Sequence, residues 1–137
     1  DALEALSTPK AKDLFAKYNV LSNVELESRY NIYKEAYETL IAIEAGTAAD
    51  MARSMVVPAV VTAITEYSVV PAVAGMVGEM SSLLEKTVAG IAALETVKHT
   101  AGQIKRMAAL RASVDALEVL VPSDLWPLPS YAELLQV

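Results

Sequence analysis

Glu95 and His99 stand four residues apart, which puts a carboxylate and an imidazole on one helix face, where they could share a metal ion or pass a proton. They are the best-spaced pair for chemistry, and they are only a pair. His99 is the single histidine and there is no cysteine, so disulfides, thiolate metal sites and thiol nucleophiles are excluded together. A carboxylate-bridged di-iron bundle needs paired Glu and His ligands from several helices and cannot be assembled. His99 falls at an expected helix end, where exposure or complementarity to the helix dipole is favoured over metal binding. Gly75, Gly78 and Gly90 do not make a phosphate-cradling loop, and no strand precedes them. No catalytic, metal or cofactor-binding residue is assigned.

The remaining polar groups of interest lie beside apolar stripes. Glu44 and Asp50 flank the core face of the first long helix, and Arg111 lies on that of the last, with Asp115 four residues on. An internal network between Arg111 and these carboxylates, fixing helix register, is favoured over a ligand site, because one Arg with nearby acids is not a reaction centre. Trp126 has two readings. It plugs the bundle end near Pro58 and Val70, which is favoured, or it anchors a partner subunit.

Composition bounds the partners. The 137 residues fit one helical domain, and 54% hydrophobic against 20% charged residues excludes general disorder. A net charge of −6, with no basic cluster longer than Lys105-Arg106, lacks the footprint of a nucleic-acid binder. The run Met55 to Val77 carries one charge, Glu66, yet Pro58 and Pro71 divide it and charged helices flank it, so a bundle core is favoured over a membrane span. Neither nucleic acid nor membrane is expected as a partner. Without a basic-then-apolar leader the protein is expected to be cytoplasmic, and the start at Asp1 reads as a fragment or processed product.

These residues must be positioned by helices. Thr8-Pro9 opens a short one through Tyr18, with Leu14 and Phe15 as its contacts and Asn19 to close it. Ser22 and Glu25 form a capping box, after which the pattern runs from Asn23 to about Tyr67. Its stripe reads Leu26, Tyr30, Tyr33, Tyr37, Leu40, Ile41, Thr47, Ala48, Met51, Met55, and Pro58 should kink it without ending it. Pro71 begins a return helix to Lys98, with Met76, Met80, Leu83, Leu84, Val88, Ile91 and Leu94 on one face. Thr100 and Gln103 form another capping box, opening a helix that Pro122 stops. Pro127 and Pro129 then bar helix around Trp126, and Ser130 with Glu133 caps a short final helix whose Leu134 and Leu135 dock on something apolar. The expected fold is all-α: an antiparallel three-helix bundle with one long kinked helix, a short N-terminal helix, and a short C-terminal helix after an extended Trp-Pro segment.

At 1.5 Å per residue the long helix is roughly 65 Å and the return helix about 42 Å, so Asn23 to about Glu38 projects past the bundle. That overhang carries Tyr30, Tyr33 and Tyr37. Either the Thr8 to Tyr18 helix folds over them or they dock on protein outside this chain, and both can hold.

The segments VLSNVELESRY (20–30), IEA (43–45), DMAR (50–53) and VPAV (57–60), with LRASVDALE (110–118) and DLWPLPSY (124–131), resemble the C-terminal region of type III glutamine synthetases. The likeness covers roughly 20–67 and 104–137; the stretch 68–103 carries no family motif and is shorter than the family's helical excursion. It implies a parent enzyme of nitrogen metabolism that joins glutamate and ammonia using ATP, through a γ-glutamyl phosphate, with Mg or Mn ions, in a stacked double-ring homo-oligomer. No position here matches the family's metal or nucleotide ligands, which belong to an upstream catalytic domain. The role implied for this chain is a non-catalytic C-terminal domain packed on that domain and supporting assembly. A free-standing helical interaction module is the alternative, and a small helical enzyme using surface carboxylates ranks last.

Overall fold

The computed structural model describes residues 2–129 and 131–135. Every regular element among them is helical. The chain forms two compact units, Asp1–Ala42 and Ile43–Val137.

In the first unit a 3-10 turn, Leu3–Ser7, leads into α1, Pro9–Lys17. Thr8 is extended, its hydroxyl accepts the Ala11 N–H, and Pro9 takes the first helical position, where a missing N–H costs nothing. Asn19 ends the helix at φ 55°, with its own N–H on Ala16 O at 3.1 Å and that of Val20 on Phe15 O at 3.0 Å. This is a Schellman closure, and asparagine tolerates the left-handed backbone it needs. Phe15 is half-buried; Leu14 is exposed, contrary to its expected role as a contact.

Helix α2, Asn23–Met51, starts from a reciprocal cap. The Ser22 N–H and hydroxyl donate to Glu25 Oε2 at 2.8 and 2.7 Å, and the Glu25 N–H returns to Ser22 Oγ at 3.3 Å. These bonds to the charged form, the hydroxyl's first, hold the Glu25 carboxyl below its ordinary value.

The second unit holds an antiparallel three-helix bundle. The C-terminal part of α2 continues through a π turn, Ala52–Val56, into α3, Val57–Tyr67. Pro58 explains the π turn: proline has no N–H, and its ring would strike a carbonyl one α turn back. The wider turn, in which the Val57 N–H reaches Ala52 O, carries the helix past that obstacle. The chain reverses at 68–70, and Pro71 opens a 3-10 turn, Pro71–Val73, before α4, Ala74–Thr96, so the proline precedes the α-helix it was expected to begin. α5, Thr100–Glu118, follows, then a non-helical segment through Trp126 and Pro127, and α6, Tyr131–Leu135.

Two clusters make the core. One joins Ala45, Ala49 and Ala52 to Ile91, Leu94 and Leu110; the other joins Val56, Val60 and Ala63 to Met80, Leu117 and Val121. The buried face of the first helix is thus an alanine and valine stripe, and the expected Thr47, Met51 and Met55 are exposed. Small residues win because they let backbones approach. Gly90 on α4 does the same from the other side, where a Cβ would meet Leu110 Cδ1 at 3.3 Å. Met76 and Val88, expected on the core face of α4, are likewise exposed, while Thr87 is fully buried.

Candidate functional site

Glu95 and His99 do not meet around an ion. Glu95 Oε1 receives the Arg53 guanidinium, bridging the π turn and α4, and this hydrogen bond raises the Arg53 pKa above its ordinary value. His99 is extended (φ −96°, ψ 139°) and its Nδ1 accepts the Gly102 N–H at 3.0 Å. It therefore caps the start of α5, which corrects both its expected place at a helix C-terminal end and the expected Thr100–Gln103 capping box. The imidazole supplies the acceptor that a serine or aspartate usually gives. Among the described residues no group of three or more His, Asp or Glu is placed to hold a metal ion.

The expected internal network around Arg111 is not formed. Arg111 Nε and Asp115 Oδ2 are 3.4 Å apart, with side chains 75% and 56% exposed, one turn apart on α5. Asp50 is exposed beside Arg53, at 3.6 Å, and Glu44 is exposed too. Leaving charges in water avoids a desolvation cost that a buried pair would have to recover. The buried polar pair is a different one: Thr87 Oγ1 lies 3.0 Å from Ser113 Oγ, linking α4 to α5. Ser113 donates to Leu110 O, and Thr87 donates to Ser113 or to Leu83 O, so neither hydroxyl is stranded. Neither stood out in the sequence, since a lone Thr and Ser in helices resemble surface residues.

Trp126 packs against the cluster of Val56, Val60, Ala63, Met80, Leu117 and Val121. Its backbone N–H donates to Pro122 O at 3.0 Å, which turns the chain back over the end of α5. The indole Nε1 is buried without a hydrogen-bond partner. Ser130, the expected cap of α6, lies outside the described residues. Leu134 and Leu135 are mostly exposed, so the expected apolar docking of α6 is at most marginal.

Two apolar surfaces stay open among the described residues. In the first unit Tyr30 is half-buried, while Tyr33 and Tyr37 are 51% and 46% exposed, with Leu40 exposed on the same face of α2. Helix α1 does not cover this row. In the second unit a groove of about 410 Å³ is floored by Ala48 and Ala52, walled by Met51, Met107, Leu110 and Val114, and rimmed by Arg111, Asp115 and Glu118. Of the two α2 residues expected on the core face that line it, Ala48 does pack against the first core cluster, whereas Met51 is exposed.

The family described as Glutamine synthetase C-terminal domain matches residues 1–76. A type-3 glutamine synthetase of Dictyostelium discoideum is 28% identical over 167 residues, covering 98% of this chain. The chain spans 23% of that relative's length. No solved structure matches.

Proposed function

Because the chain belongs to the glutamine synthetase C-terminal domain family, we propose that it serves as the non-catalytic helical part of an ATP-dependent glutamate–ammonia ligase. In this reading it packs on the catalytic part of the enzyme and supports assembly of a homo-oligomer. The observation that supports it is the α2 row of Tyr33, Tyr37 and Leu40: large side chains exposed on one helix face suit an interface with another part of the enzyme. In this reading Mg or Mn and the nucleotide are held elsewhere in the enzyme, which agrees with the lack of any group of three or more His, Asp or Glu placed for a metal among the described residues. The side chains best placed for chemistry, Glu95 and His99, are already committed to an ion pair and a helix cap.

The test compares the full-length enzyme with its Tyr33→Glu/Tyr37→Glu variant. The variant should lose oligomer and, with it, glutamine formation, while the isolated 137-residue chain should form no glutamine from glutamate, ammonia and ATP. Turnover by the isolated chain, or an intact active oligomer in the variant, would contradict the reading.

A further inference from the structure

Two hollows meet at the C-terminal end of α5 in the second unit. The groove floored by Ala48 and Ala52 adjoins a hollow of about 830 Å³, sharing Glu118 with it and adding Asp124. Alanines make the floor shallow, and Met51 and Met107 give walls that repack around different shapes. The floor runs from Ala48 to Val56, about 12 Å of helix, enough for two successive turns of a guest helix with anchors at i and i+4. Leu134 of α6 lines the edge yet stays 61% exposed, so the C-terminal helix leaves the groove open.

Charge decides what else the guest carries. Arg111 is paired with Asp115, but Glu118 and Asp124 have no ion-pair partner among the described residues. The free charge at the C-terminal end of α5 is therefore negative. A second copy of this chain, at net charge −6, would bring more of the same sign. We infer that the groove docks an amphipathic helix of another polypeptide segment, with leucine-like residues on its apolar face and lysine or arginine beside Glu118 and Asp124.

The probe is a short fluorescent leucine–lysine helical peptide, with its leucine–glutamate counterpart as control, titrated by anisotropy into the 137-residue chain. The lysine peptide should bind and the glutamate peptide should not. Glu118→Gln/Asp124→Asn should weaken binding roughly tenfold, with the difference shrinking at high salt. Met51→Lys, at an exposed position that the fold does not need, should abolish it. Glu79→Gln/Glu85→Gln, on α4 away from the groove, should leave binding unchanged; an equal loss there would mean general charge attraction and overturn the inference. Absence of lysine-peptide binding would overturn it too, as would equal binding of the glutamate peptide. So would dimerisation of the chain that Met51→Lys blocks, since the occupant would then be a second copy.

Discussion

Gly90 of α4 faces Leu110 of α5 so closely that a Cβ on Gly90 would lie 3.3 Å from Leu110 Cδ1 and 3.7 Å from its Cα. The contact with Cδ1 can be relieved by a small side-chain shift, and 3.7 Å from Cα is ordinary van der Waals contact. Gly90→Ala should therefore be close to neutral, because a helix-propensity gain of up to ~1 kcal/mol offsets the crowding. Gly90→Val adds branches with no room and should cost about 1–3 kcal/mol or more. Urea unfolding of the two variants checks this, and a neutral Gly90→Val would mean that the helices are not packed through this glycine.

The His99 cap and Gly102 are coupled. A Cβ on Gly102 would come within 2.3 Å of the His99 ring, so Gly102→Ala must eject the imidazole. In the parent chain that substitution exchanges a cap worth about 1 kcal/mol for a similar propensity gain. In a His99→Ala background nothing is left to eject, and Gly102→Ala should stabilise by up to ~1 kcal/mol. A double-mutant cycle should give a coupling of roughly 1 kcal/mol, and strictly additive effects would contradict the cap.

Glu25 sets a pH dependence at the start of α2. Its folded-state carboxyl is held below the ordinary glutamate value of 4.5, chiefly by the Ser22 hydroxyl and then the Ser22 N–H. A depressed folded pKa means that the stabilisation is present above the ordinary value and is lost as pH falls through the depressed one. Amide protection factors at residues 22–26, corrected for the intrinsic pH dependence of exchange, should fall on acidification through that window in the parent, and Glu25→Gln should flatten the response. An unchanged pH profile in Glu25→Gln would show that another carboxylate is responsible.

Trp126→Ala should lower the melting temperature of the chain, with a stability loss of roughly 3 kcal/mol for a partly buried indole. The unpartnered Nε1 makes Trp126→Phe the milder change, since it removes an unsatisfied donor together with part of the ring. A melting temperature unaffected by Trp126→Ala would reassign the residue from bundle plug to subunit anchor.

Local signals were legible where one residue and its near neighbours settle the outcome. Thr8-Pro9, Asn19 and Ser22 with Glu25 all act as their types dictate, because a cap is decided within a few residues. The core face was less legible. Met51 and Met55 carry more apolar surface than Ala45, Ala49 and Ala52, so periodicity favours the larger residues, whereas packing distance favours the smaller. Two neighbouring stripes on one apolar helix differ only in what packs on them. Pro58 signalled a disturbance without revealing that a π turn would absorb it. His99 lost to Thr100 as a cap because threonine is the commoner acceptor, and only backbone geometry placed the helix start one residue earlier. Arg111 near acids could signify an internal network or a solvated face, and desolvation decided for water.

The central claim is that the tyrosine row of α2 is covered in the assembled enzyme. Hydrogen exchange with tyrosine-directed footprinting, comparing the isolated chain and the intact enzyme, measures this directly. Tyr33 and Tyr37, half exposed in the chain alone, should become strongly protected in the enzyme. Equal modification of both residues in the two samples would contradict the account.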